Sequence, residues 1–275
     1  MSLKLGYGYV LVDGVRINYY RTGDDKPAII LLHGTMDNGL CWNQLPLMLE
    51  PIFDVVMIDA RGHGFSDAPQ NDYATSDYSN DVLAVITALN LKEPILIGHS
   101  MGANTATLLA ARRPGLIKCL VLEDPPWHVR QASITQEERV PFLEEQRNRI
   151  NNLKALTFDN LIELCHERHP TWNESEYFQW AKAKQEVSPN IVVGLMDDQF
   201  SWQKEICYIK SPGLLITGNN NLGGIITRRG INQARNLWKN LTVVEVQDAG
   251  HNIRREQFTL YWKAVSSFLK AHTSK

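Results

Sequence analysis

The chain has 275 residues, 44% of them hydrophobic, and a formal net charge of -2. That length fits one α/β domain with an inserted subdomain and no second core. The near-neutral balance gives no electrostatic ground for binding nucleic acid or an anionic membrane.

No apolar run approaches a membrane span, and Met1–Gly6 lacks the apolar core of a signal peptide. The four cysteines, Cys41, Cys119, Cys165 and Cys207, are widely spaced and lack Cys-x-x-Cys spacing. None reads as a metal ligand or a nucleophile. Cys119 and Cys207 sit among apolar residues and are expected to be buried thiols. A reducing, cytoplasmic setting is the expectation.

Residues 7–22 alternate about Asp13-Gly14 and predict a hairpin with a tight turn. Residues 27–32 form a buried strand that ends in His33-Gly34 and a loop. Such a turn aims a backbone N–H, here that of Thr35, toward a reacting centre. His33 is expected to brace the loop, and the stretch from Thr35 through Met36 to Trp42 to line one pocket wall. A helix around Cys41–Glu50 leads to a strand over 53–59. In the turn Asp59–Asp67, Arg61 and Asp67 are expected to pair locally and fix the loop. Ser76–Leu89 predicts a helix, with Ser76 as its N-cap and Val82, Val85, Ile86 and Leu89 inward.

Pro94 ends that helix. Ile95, Leu96 and Ile97 suit a strand buried on both faces of a parallel sheet. Gly98-His99-Ser100-Met101-Gly102 follows, and then a good helix from Ala103 to Arg112. Strand, G-x-S-x-G and helix is the context in which a nucleophile elbow has mechanical meaning. The tight turn forces Ser100 into a strained backbone and lifts its hydroxyl above the sheet. It also points the helix N–H groups, that of Met101 among them, at a developing oxyanion. With Thr35, Met101 is the expected oxyanion hole. His99 reads as packing or pocket lining.

Ile117–Asp124 is the next strand, followed by Pro125-Pro126-Trp127. From about residue 128 to 208 helical periodicity, charges and aromatics dominate, over Gln136–Ala155, Phe158–His166 and Glu174–Glu186. This segment reads as an inserted helical cap, so the core is residues 1–127 and 209–275 and the cap residues 128–208. Of the aromatics in or beside it, Trp127, Trp172, Phe178, Trp180, Phe200 and Trp202, some line an apolar cavity or pack the cap. Pro212–Gly218 returns to a strand. Ile231–Trp238 is a helix, Leu241–Val246 the last strand, and Phe258–Ala271 the final helix with Leu260, Trp262 and Phe268 inward. Strands alternating with helices imply a mostly parallel sheet with helices on both faces and catalytic loops at the strand carboxyl ends.

His33-Gly34, the Asp59–Asp67 turn, Gly98–Gly102 and Gly250-His251 come in the order and spacing that resemble the α/β-hydrolase superfamily. The resemblance covers the chain outside the cap. It implies an eight-stranded, mostly parallel sheet flanked by helices, with the cap inserted. It also implies His251 as the base that deprotonates Ser100, in keeping with a side chain that titrates near neutrality.

The orienting acid departs from the usual pattern. Most relatives place an Asp after the strand that here ends at Gly218, where this chain has Asn219-Asn220-Asn221. An amide at Asn221 cannot stabilise an imidazolium by charge. Asp124 is the obvious substitute, in a placement similar to that of haloalkane dehalogenases with a relocated acid and of some lactone hydrolases of this fold. Glu123 is the alternative, and strand alternation lets only one of the two face the site. Asp248 reads as a turn residue.

Ser100 in place of an Asp nucleophile argues against a dehalogenase or epoxide hydrolase. The expectation is a cofactor-free serine hydrolase of a small or medium carboxylic ester or lactone, with no metal and a small-molecule substrate; a homodimer stays open. One alternative is C–C bond hydrolysis of a vinylogous diketone acid, with Arg130 as the guess for a carboxylate partner. The other, raised by Asn219–Asn221, is a catalytically impaired ligand sensor.

Overall fold

The computed structural model describes residues 4–127, 135–196 and 200–273. Strands β1 (Gly6–Val12) and β2 (Val15–Arg21) form the expected antiparallel hairpin. Its turn residues Asp13 and Gly14 both take positive φ, 49° and 84°, as a two-residue type I′ turn demands. Then come β3 (Ala28–Leu32), a 3₁₀ turn over Gly39–Trp42, α1 (Gln44–Leu49) and β4 (Asp54–Ile58). The single helix expected around Cys41–Glu50 is split at Asn43, whose φ of 42° and ψ of -96° break the run.

Next are α2 (Thr75–Ala88), β5 (Ile95–His99), α3 (Met101–Arg112) and β6 (Leu120–Glu123). The N-cap of α2 is Ala74 rather than Ser76. The Asp77 carboxylate accepts the Ala74 N–H at 2.8 Å, so an acid inside the first turn does the capping.

Between β6 and β7 lies a helical insertion: α4 (Gln136–Lys154), α5 (Phe158–Arg168), α6 (Ser175–Glu186), a 3₁₀ stretch over Pro189–Met196, α7 (Trp202–Glu205) and a 3₁₀ turn over Ile206–Tyr208. The chain closes with β7 (Gly213–Thr217), α8 (Arg228–Leu237), β8 (Leu241–Glu245), α9 (Ile253–Glu256) and α10 (Phe258–Thr273).

The eight strands run in the order β1-β2-β4-β3-β5-β6-β7-β8. β2 pairs antiparallel with β1 and β4, and the remaining pairs are parallel. Both faces are covered, which is why the central strands read as unbroken apolar runs. Alternate residues feed opposite cores. Ile30, Leu32, Leu96 and Leu122 pack with Val82, Val85 and Leu109 of α2 and α3. Ile29, Leu31, Ile97 and Val121 pack with Leu45 of α1 and Tyr261, Val265 and Phe268 of α10.

Two burial expectations are overturned. Leu260 is 43% exposed, because the buried stripe of α10 runs through Tyr261, Val265, Phe268 and Leu269. Cys207 is exposed, because Ile206 takes the inward place in that turn.

The insertion packs over the carboxyl ends of the strands. Leu153, Leu161, Trp172, Tyr177 and Trp180 form one cluster that reaches Met36. Ile150, Val187, Ile191 and Val192 form another with Tyr73 and Tyr78, against Met36, Ala60 and Met101. Among the described residues no helix is long and apolar enough to cross a membrane.

Candidate active site

Ser100 sits between β5 and α3 with φ 50° and ψ -113°, a conformation an L residue keeps only when its surroundings enforce it. They do so by close approach. A Cβ on Gly98 would collide with the Gly102 carbonyl, and one on Gly102 with the Leu32 carbonyl. The Gly102 N–H donates to His33 O at 3.1 Å and the Ser100 N–H to Glu123 O at 3.0 Å, which pins the turn to β3 and β6.

The β3 loop forms the opposite wall. Asp37 N–H closes a turn on Gly34 O at 3.1 Å, and Met36 takes φ 65°. Met36 N–H donates to His63 Nε2 at 3.2 Å. His63 Nδ1–H in turn donates to Arg61 O at 2.9 Å, which fixes a neutral tautomer, and burial pushes the imidazole down to about 3. His33 braces the loop from behind: its Nε2 accepts Ala60 N–H at 3.0 Å and its Nδ1–H donates to Gly34 O at 2.8 Å. Burial lowers this imidazole as well. With Met36, Asp37 and Gly102 engaged, the N–H of Thr35 has no partner among the described residues. Met101 opens α3, where a first-turn N–H finds no acceptor within the helix.

His251 Nδ1 lies 2.7 Å from Asp124 Oδ2. A carboxylate only accepts, so the proton is on Nδ1 and Nε2 keeps its lone pair. Asp124 is fully buried, with φ 39°, and also accepts Ile225 N–H at 2.8 Å and Ile226 N–H at 3.3 Å. Glu123 points elsewhere, to Arg254 N–H at 2.9 Å and Arg254 Nη1 at 3.1 Å. The asparagines serve their own loop. Asn219 Nδ2 donates to Gln247 O, Asn220 Nδ2 to Gly224 O and Ile226 O, and the exposed Asn221 gives its N–H to Asn219 Oδ1. Of the three acid positions considered, Asp124 is the one that meets His251.

His99, the residue before Ser100, is buried and lies against His251. Its Nε2–H donates to His251 O at 3.1 Å, and the two rings lie 4.6 Å apart. Glu256 holds the base loop from the other end, accepting the N–H groups of Gly250 at 2.5 Å and Asn252 at 3.1 Å. His99 is 3% exposed and Trp127 fully buried. Trp127 stacks on Trp202 at 5.0 Å and packs in the core. Neither ring forms an open pocket wall, whereas Met36 bridges loop and insertion. Arg130 lies outside the described residues.

The Arg61–Asp67 pair does not form. Arg61 makes two 2.7 Å hydrogen bonds to Asp81 on the buried face of α2, and Asp67 pairs with Arg16 at 2.8 Å. The partner is set by which face of α2 meets the turn, not by proximity in sequence.

The sequence reading also misses a buried charge cluster between insertion and core. Asp37 lies 3.5 Å from Lys184, 3.5 Å from Arg254 and 3.3 Å from Arg255. Arg255 pairs with Glu176 at 3.0 Å, and Arg254 with Glu123. Arg254 and Arg255 cover the rings of Trp42 and Trp172. Burial pushes the Asp37 carboxyl up, but Arg255, Lys184 and Arg254 together hold it well below the carboxylate range. A signal for Lys184 was available. Tyr177, Trp180, Ala181 and Lys184 fall at helical spacing on the buried face of α6, so a lysine occupies an apolar position.

A family model described as alpha/beta hydrolase fold matches residues 27–254. N-formylmaleamate deformylase of Pseudomonas putida is 28% identical, over 98% of each chain. 2-(Acetamidomethylene)succinate hydrolase of Mesorhizobium japonicum is 24% identical, over 89% of this chain and 88% of that one. The crystal structure of E-2-(acetamidomethylene)succinate hydrolase superposes with a TM-score of 0.81 at 22% identity, covering 97% of this chain and all of that one.

Proposed function

Because the chain belongs to the alpha/beta hydrolase fold family, we propose that it is a serine hydrolase that removes an acyl group from a small, conjugated unsaturated carboxylic acid. The observation that carries the reading is the 2.7 Å contact of Asp124 with His251 Nδ1, with the His251 ring tilted against that of His99, the residue that precedes Ser100.

His251 Nε2 takes the Ser100 proton as the hydroxyl attacks the acyl carbon. The N–H groups of Thr35 and Met101 hold the oxyanion. The Asp124 carboxylate holds the ring at Nδ1 and stabilises the imidazolium. The leaving fragment takes the proton from His251, and water, activated by the same base, releases the acid and frees Ser100.

The substrate class moves away from the expected simple ester or lactone. Two relatives carry names that specify a formyl group on maleamate and an acetamidomethylene group on succinate. Those names sit nearer to the alternative, an acyl compound that is also an unsaturated acid. In a vinylogous diketone acid and in an N-acylated unsaturated acid alike, the fragment leaving the acyl carbon spreads its charge into a conjugated system. The impaired-sensor alternative loses its motive, because a carboxylate other than the replaced one meets the base.

The test is fluorophosphonate labelling followed by turnover of three probes: an N-acyl enamine of an unsaturated dicarboxylate, a vinylogous diketone acid and p-nitrophenyl acetate. Labelling at Ser100, its loss in Ser100→Ala, and a higher kcat/KM for either acid than for the acetate are expected. An unlabelled native chain overturns the reading; a preference for the acetate returns it to the ester class.

A further inference from the structure

The structure assigns Lys184, carried by the insertion, the role of a positioning residue that sets the oxyanion loop. This rests on the reading of Thr35 N–H as an oxyanion donor.

Lys184 Nζ donates to Met36 O at 2.7 Å and lies 3.5 Å from Asp37 Oδ1. The side chain is 7% exposed and its nitrogen sits 4.7 Å over the Trp180 ring. Burial pushes the ammonium below the ordinary lysine range against the pull of Asp37, but amine and ammonium both offer the N–H that Met36 O accepts.

Met36 is a non-glycine residue at φ 65°, a region that L residues seldom occupy unless neighbours over-determine it. Here the residue is gripped from both sides. The core takes its N–H through His63 Nε2 at 3.2 Å, and the insertion takes its carbonyl through Lys184. The Thr35–Met36 peptide lies inside the turn that Asp37 N–H closes on Gly34 O. Release of the Met36 carbonyl lets Met36 relax to negative φ, which swings the Thr35–Met36 peptide and frees the adjoining Gly34–Thr35 peptide, the one that carries the Thr35 N–H, to reorient. The hole is therefore complete only when Lys184, from the insertion, holds the Met36 carbonyl.

The experiment compares Lys184→Met, which keeps the stem but loses the donor, with Lys184→Arg, which keeps a donor, in the full chain. Turnover of the best probe substrate is measured together with inhibition by a boronic acid that adds to Ser100 as a tetrahedral adduct. Lys184→Met should lower kcat about 100-fold, the loss typical of a disabled oxyanion donor, and weaken the boronic acid by a similar factor, with KM little changed. Lys184→Arg should recover most of both. Glu176→Gln loosens the same contact between insertion and core without touching Met36 O, and should leave kcat near the native value. Where Lys184→Met does not fold, Lys184→Leu, which also lacks a donor, takes its place.

Native kcat and boronate affinity in the donor-less variant overturn the inference, as does equal damage from Glu176→Gln or no recovery with Arg. A native chain that fluorophosphonate does not label defeats the parent reading instead, so the two failures are distinguishable.

Discussion

A carboxylate and a carboxamide differ by one atom, but only the carboxylate can neutralise an imidazolium. Asp124 meets His251 Nδ1 at 2.7 Å, and its backbone neighbours Ile225 and Ile226 hold it there. Asp124→Asn keeps the size and one acceptor and loses the charge. It should lower kcat by about four orders of magnitude, as the equivalent change does in the serine-protease template, with little effect on KM. Asn221 is exposed and bonded within its own turn, so Asn221→Asp should leave kcat near the native value. Steady-state kinetics on the probe that labels best decides both. Native turnover in Asp124→Asn, or a large gain in Asn221→Asp, would move the acid to the end of β7. The residue types of this site were legible because G-x-S-x-G and Gly-His are local patterns. The acid was legible only as a ranking, Asp124 ahead of Glu123 and Asn221, since these polar positions at the ends of β6 and β7 are told apart only when the sheet brings two strand ends together.

Elements were legible where burial on both faces made them so. β3, β4, β5 and β7 are buried at every residue and read as short apolar runs. The three long insertion helices were legible by period, with ends within a residue or two. What spacing alone did not reveal is which side chain of one element meets another. Arg61 bonds Asp81 across to α2, and Lys184 reaches the β3 loop, because pairing is decided by packed faces. The elbow gives this a direct test. The Cβ of a residue at position 102 would be driven into the Leu32 carbonyl, and that oxygen belongs to a central strand with no slack. Gly102→Ala should destabilise the fold by about 1–3 kcal/mol, the usual range for overpacking, and should slow fluorophosphonate labelling. A urea midpoint and labelling rate both at native values would mean that β3 can shift and that close approach at Gly102 does not hold the elbow.

At the scale of the molecule, buried titratable groups set the pH range over which this arrangement survives. His63 is fully buried, and its imidazole is pushed by burial from 6.5 to about 3. The sign follows from linkage. The unfolded chain binds this proton below about pH 6.5 while the folded chain refuses it, so the unfolded state carries more protons and stability decreases as pH is lowered. The contribution is whole above 6.5 and is lost as pH drops from there toward 3. Asp37 acts lower down. Its depressed carboxyl, held by Arg255, Lys184 and Arg254 against burial, withdraws its stabilisation only as pH falls below its ordinary value of 3.8. Glu123 is raised by burial and pulls the other way, so the pH curve of the native chain mixes signs. The difference between native and His63→Gln removes what the two chains share. In that difference the native advantage should shrink by about 1.4 kcal/mol for each pH unit between 6.5 and 4, the value of one proton, when urea unfolding is followed at pH 7, 6, 5 and 4.5. A constant difference would mean that His63 takes its proton equally in both states. Its Nε2 would then not be the acceptor that holds Met36 N–H, and the core side of the grip on the loop after β3 would be gone.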